Sequence, residues 1–229
     1  MRKTSLAMVH DFAKRDERVV FIGSDLGVNT LDAFRREMPS RFFMEGVSEA
    51  NIIGMAAGLA AEGHIVYVNT LAVFLTRRAF EQVALDVCLH HLDVRLIGNG
   101  GGLVYGPLGP THTAIDDIGL MRLLPGMAVA APADAREMEQ CMRSLETHRG
   151  PAYIRLGKGG DPIAGVAGAP VAVGKAVSVC SGKDVAIVST GIALRIARDA
   201  VEILSRAGIS AGIVHFPWVK PLDAAALRE

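Results

Sequence analysis

The chain of 229 residues lacks most of the features that reveal a function through composition. Lys plus Arg and Asp plus Glu both number 24, so no surplus of either sign is available to hold a nucleic acid or an anionic membrane. Any charged ligand must therefore be met by local groups. No apolar run is long enough to span a bilayer, and the charge-interrupted first residues lack the apolar stretch of a secretion signal; both point to a cytoplasmic protein with no membrane partner. Cysteine is scarce. Cys88, Cys141 and Cys180 are odd in number, widely spaced and set in apolar periodic segments, which suits reduced interior thiols better than disulfides or a zinc site. Cys88 and His91 have ligand-like spacing but no second pair, and His90 and His91 also suit a helix C-terminus, so no metal ligand is assigned. Neither GxGxxG nor GxxxxGK[ST] occurs, which leaves the two familiar phosphate-cradling loops without support.

Apolar residues, by contrast, are plentiful: half the chain is hydrophobic, enough for a sizeable core. Strand-like runs at 19–22, 41–44, 65–68, 94–97, 127–130 and 152–156 alternate with segments of helical period. This is the pattern of a doubly wound parallel α/β sheet. Phe80, Val83, Ala84 and Val87 share a helical face, and Asp134 with Glu137 three residues on starts a helix buried through Met138, Cys141, Met142 and Leu145. The first domain closes at 156. A Gly, Ala and Pro-rich stretch at 157–174 reads as a linker, and a partial second α/β domain follows at 175–229. Its strands are expected at 175–180, 185–188 and 210–215, with a helix at 194–207 buried through Ile196, Ala200, Ile203 and Leu204. Such a unit leaves a sheet edge and an apolar helix face uncovered.

Two segments carry candidate chemistry. In residues 46–60, Ser48 is a good N-cap and Ile52, Met55, Ala56 and Leu59 form a stripe, while Gly54, Ala57 and Gly58 leave room for another backbone. Glu49 is thereby expected at the mouth of the helix, where an acid also complements the macrodipole. The long loop after the 94–97 strand, stiffened by Pro107 and Pro110, carries His112 outside the carboxyl end of a strand, where open parallel sheets bind ligands.

Taken in order, GVSEANIIGMAAGLA (46–60), the 69–83 segment NTLAVFLTRRAFEQV, GPLGPTHTAIDDIGLMRLLPGM (106–127) and AAPADAREM (130–138) resemble the pyrimidine-binding domain of the transketolase family. The resemblance covers residues 2 to about 158 and continues weakly into the family's C-terminal domain. It implies thiamine diphosphate as cofactor and transfer of a two-carbon ketol unit. Glu49 would share a proton with the aminopyrimidine N1′, Phe74 would stack on that ring, and Asp25 would lie near the cofactor. His112 would act beside the reacting carbon, shuttling protons or holding an oxyanion. Arg78 matches a substrate-proximal arginine, Arg2 and Lys158 stand at phosphate-binding positions, and Asn29 replaces a serine there. Leu108 occupies the place of an acid that reads substrate hydroxyls, and Gly100 that of a histidine, so the standard pentose phosphates are poorly matched. Gly-Asp-Gly, which holds Mg2+ and the diphosphate in this family, is absent. The resemblance thus implies a separate diphosphate-binding α-type subunit carrying the metal, self-association into a two-plus-two heterotetramer, and small ketose and aldehyde substrates. The β subunit of a 2-oxo-acid dehydrogenase or decarboxylase is a second reading, and a non-catalytic regulatory paralogue a third.

Overall fold

The alternation in the sequence produces a seven-stranded, mostly parallel sheet in the computed structural model, which describes residues 1–23, 31–157 and 159–228. The first elements are α1 (Arg2–Arg15), β1 (Val19–Gly23), α2 (Asp32–Glu37), β2 (Phe42–Met44), α3 (Glu49–Ala61) and β3 (Ile65–Leu71). A wide π-helical turn (Phe74–Arg78) leads to α4 (Phe80–Gln82), a second such turn (Val83–Cys88) and β4 (Val94–Asn99). Then come α5 (Asp117–Leu123), β5 (Ala128–Ala130), α6 (Ala135–Ser144) and β6 (Ala152–Leu156). The second unit holds β7 (Val177–Cys180), β8 (Val185–Ser189), α7 (Ala193–Arg206) and β9 (Ala211–His215), after which β10 (Trp218–Lys220) returns to the first sheet. No helix among the described residues is long and apolar enough to cross a membrane.

The strand order is β10-β5-β6-β4-β3-β1-β2, with only β10 antiparallel, against β5. Because β2 lies on one side of β1 and β3 on the other, the chain leaves β1 in opposite directions and a crevice opens outside the carboxyl ends. Strands covered on both faces need apolar residues at every position, which is why β1 reads Val-Val-Phe-Ile without alternation and is buried throughout. Successive side chains of β3 enter different cores: Ile65 and Tyr67 meet α1 and α6 residues such as Phe12, while Val66 and Val68 meet Ile52, Ile53 and Ala56 of α3. Each such side chain, fully buried, contributes about 1.5–3 kcal/mol before ordering costs.

Several sequence-based expectations change in detail. Ser48 holds the N-cap position of α3, but its hydroxyl donates to the Glu45 carbonyl (3.1 Å) instead of capping the helix. Met55 and Leu59 are only half-buried, and Ile53, Ala57 and Ala60 complete the inward stripe. Gly54 and Gly58 face outward with open space beside them. In α7 the expected inward stripe is rotated: Leu194 and Ala197 are buried in a small core with Ala133, Ala164 and Ile213, whereas Ile196 and Ile203 are exposed. The face that carries Leu194 and Ala197 packs on the sheet, and nothing in the described chain covers Ile196 and Ile203. Asp134 caps α6 as expected, accepting from the Arg136 and Glu137 amides, and Met138, Cys141, Met142 and Leu145 are buried. The other oxygen of Asp134 accepts from the amides of Ala164 (2.8 Å) and Gly165 (2.7 Å), tying the 157–174 stretch to that helix.

Candidate active site

Three consecutive crossovers deliver side chains to the crevice beside β1. The one after β2 ends in Glu49, the first residue of α3; the one after β3 is the π-turn bearing Phe74 and Arg78; the one after β4 is the glycine-rich loop bearing His112. Single π-turns of this kind recur at functional sites because they offset side chains from the regular helical rows. Here the Thr76 hydroxyl helps close the turn by donating to the Ala72 carbonyl at 2.9 Å.

These four side chains form one connected cluster. Glu49 stands at the start of α3 as expected, but it is 1% exposed and so enclosed, where an open helix mouth was expected. Its Oε2 accepts from Arg78 Nη1 at 2.6 Å, while the arginine side chain remains 48% exposed. The same guanidinium lies over the Phe74 ring, 4.3 Å from its centroid. The His112 imidazole meets the Phe74 ring edge-on, 5.3 Å from its centroid with the planes 70° apart. Thr111 Oγ1 lies 2.9 Å from His112 Nδ1, which fixes the imidazole orientation. Arg77 bonds Asp116 Oδ2 at 2.9 Å and reaches the Pro110 carbonyl, clamping the His112 loop to the π-turn from outside.

Strands β3, β4 and β6 carry buried polar contacts that sequence reasoning missed. Asn99 at the end of β4 donates to Asn69 Oδ1 (2.8 Å) and to the Thr70 carbonyl (2.9 Å), so the ends of β3 and β4 are joined through side chains. Asp117, fully buried, accepts from the Tyr153 hydroxyl (2.7 Å) and from Arg155 Nε (2.9 Å). Burial and then the neighbouring Asp117 charge push the Tyr153 phenol well above its ordinary value, so it stays a hydrogen-bond donor. Arg155 also donates to the Ala114 carbonyl, where the loop closes on Gly101 and Gly102. A Cβ on Gly101 would overlap the Arg155 side chain, which explains a glycine there that needs no unusual backbone angle. The available signal was an arginine inside an apolar strand, Ala-Tyr-Ile-Arg-Leu, and an acid pair following the Gly-Pro-Thr-His turn.

Of the remaining expected site residues, only Arg2 is among those described. Arg2 lines a cavity of about 490 Å³ with Met1, Lys3, Ala135, Gly159, Gly160 and Asp161, and shares no lining residue with the Glu49 cluster. Asp25, Asn29 and Lys158 fall outside the described residues. Leu108 is 57% exposed, a surface leucine on the short turn before the one that carries His112. Among the described residues no three His, Cys, Asp or Glu side chains gather as a metal site. The cluster does suit a flat heteroaromatic ring: a planar N–H donor already bridges the buried carboxylate and the aromatic face, as the edge of an aminopyrimidine would.

Comparison with known proteins gives the family. The family model for the transketolase pyrimidine-binding domain matches residues 1–160, and that for the transketolase C-terminal domain matches residues 174–229. The chain is 35% identical over 228 residues to the 6-deoxy-6-sulfo-D-fructose transketolase subunit SqwH of Clostridium sp. strain MSTE9, covering 99% of this chain and 71% of that one. It is 32% identical over 230 residues to one subunit of the apulose-4-phosphate transketolase of Phocaeicola vulgatus, covering 100% and 74%. A solved structure of a split-gene transketolase, described as an inactive β4 tetramer, superposes with a TM-score of 0.89 at 33% identity, covering 99% of this chain and 74% of that one. Across the first relatives the chain spans 63% to 74% of their length. The chain belongs to the transketolase family of thiamine-diphosphate-dependent transferases.

Proposed function

We propose that the chain is the β-type, pyrimidine-binding subunit of a split transketolase, moving a two-carbon ketol unit from a ketose to an aldehyde once a diphosphate-binding α-type subunit completes the site. The observation that carries this reading is the buried Glu49 carboxyl gathered with Phe74 and His112 at the carboxyl ends of the strands. Thiamine diphosphate, when bound, supplies the carbon nucleophile and electron sink needed to break and form a bond beside a carbonyl. Glu49 would hold the proton at the ring nitrogen N1′, and its burial keeps water from competing for that proton. Phe74 would support the ring, with Asp25 nearby. His112 would stand on the substrate side, its orientation held by Thr111, and give or take a proton at a substrate oxygen. Arg78, and Arg2 with Asn29 and Lys158, would meet anionic parts of the substrate.

The diphosphate and its Mg2+ would sit on the partner, in a two-plus-two assembly, which is consistent with the absence of Gly-Asp-Gly from this chain. The relatives' names support ketol transfer over 2-oxo-acid decarboxylation, and retention of Glu49, Phe74 and His112 weighs against a non-catalytic role.

The test mixes the chain with a Gly-Asp-Gly subunit from the same organism, magnesium and thiamine diphosphate, and measures cofactor binding and ketose cleavage separately. Ketol transfer that is lost in Glu49→Ala is the expected result. Undiminished turnover in that variant would remove the catalytic assignment, and release of carbon dioxide from 2-oxo acids without ketose cleavage would favour the dehydrogenase reading.

A further inference from the structure

Arg78 joins two of the expected cofactor-facing side chains. Its guanidinium makes the two contacts expected of the aminopyrimidine: it donates to the buried carboxyl of Glu49 at 2.6 Å and lies on the face of Phe74 at 4.3 Å. A guanidinium and an aminopyrimidine are alike in the relevant chemistry, both being flat, nitrogen-rich and able to present an N–H edge to a carboxylate while stacking on an aromatic ring. Both cannot occupy one ring face and one carboxylate oxygen together.

We propose that Arg78 is an internal stand-in for the cofactor ring, closing the pyrimidine seat in the free subunit and leaving it when thiamine diphosphate enters. The inference rests on the reading of Glu49 and Phe74 as that seat. Physical chemistry explains the need for it. An empty seat would leave the Glu49 carboxylate buried without a counter-charge, a costly state, and a cation from within the chain removes that cost. Glu49 is almost wholly enclosed whereas the Arg78 side chain is half exposed, so the pair opens by withdrawal of the arginine toward solvent with no movement of α3. Its departure delivers a free guanidinium to the mouth beside His112, so a cation for an anionic substrate becomes available only after the ring is seated. Arg78 thereby orders the events: ring first, substrate second.

Binding of thiamine itself, which lacks the diphosphate and so requires neither magnesium nor partner, reads this directly by titration calorimetry on the full chain. Arg78→Ala is expected to bind thiamine at least tenfold more tightly than the unaltered chain, with Arg78→Lys between them because lysine keeps the charge without the planar fork. Equal or weaker binding by Arg78→Ala would overturn the proposal. Adding Glu49→Gln to Arg78→Ala separates the two levels of inference. Loss of the gained affinity supports the seat, whereas affinity that ignores Glu49 shows that the seat itself is misread. A measurement needing no variant is side-chain nitrogen NMR of isotopically labelled arginine: saturating thiamine should move the Arg78 resonances to the position of a freely rotating guanidinium, and resonances that stay fixed while thiamine binds would end the proposal.

Discussion

Glu49 and Glu137 are both buried carboxylates in the first turn of a helix, yet the fold uses them in opposite ways. Glu137 is committed to interior partners: its Oε2 accepts from the Ala133 amide at 2.7 Å and lies 3.1 Å from His215 Nε2, and His215 Nδ1 in turn lies 2.9 Å from Ser189 Oγ. That chain of contacts pins α6 of the first sheet to β8 and β9 of the second. Glu49 instead faces a single half-exposed arginine whose head reaches water. A carboxylate whose partners are all buried is a fastener; one whose partner can leave is a receptor.

The largest effect that would break this contrast concerns rate. Glu49→Gln should lower ketol transfer in the assembled enzyme by about 10²–10⁴-fold, the usual worth of a positioned proton donor or acceptor. Its urea midpoint should scarcely move, because the charge being removed was paired with a half-exposed group. Glu137→Ala should do the reverse, costing about 3 kcal/mol in urea unfolding by stranding the Ala133 amide and His215, while folded material keeps its thiamine affinity. If the two variants exchanged phenotypes, the comparison would fail.

A smaller effect sharpens the same contrast through pH. Burial pushes the Asp134 carboxyl upward, but amide donors from Gly165, Glu137, Ala164 and Arg136 outweigh it and hold the group below its ordinary value. Because the unfolded chain then binds the proton more readily, this stabilisation is complete above the unfolded carboxylate value near about pH 4 and is lost as pH falls through the lower folded value. Asp134→Asn should cost about 1–2 kcal/mol at neutral pH and flatten the acid limb of the stability profile. The smallest effect lies at the rim: Leu108→Asp should improve kcat/KM for hydroxylated over unhydroxylated aldehydes by about tenfold, the worth of one hydrogen bond to a partly exposed charge. No change in that ratio would remove Leu108 from the substrate path.

Much of the fold was legible because parallel strands covered on both sides must be written as short apolar runs, and β1, β3, β4, β5 and β6 each fall on one. Strand β10 was not, since three residues carry no period and their partner, β5, lies far back in the chain. The orientation of α7 was misjudged because its apolar residues are distributed broadly enough to fit two faces, and only the packed sheet chooses between them. Glu49, Phe74 and His112 were legible as an ordered set, and the structure gathers them. Arg78 was legible as a candidate, but its contact with Glu49 was not, because the two stand 29 positions apart and are brought together by the crossing of separate connections. Asp117 and Arg155 left only faint signals, an acid after the Gly-Pro-Thr-His turn and an arginine in an apolar strand, and each makes sense only once the other is seen.

The amide pair Asn69–Asn99 gives the site a mechanical property of its own. Phe74 and His112 are launched from neighbouring strands, and those strands share one side-chain crosslink just before each departs. The two rings consequently ride on a common base plate: any substitution that shears one strand past the other will misalign both at once, and a single alteration at either asparagine should degrade ring support and proton delivery in step.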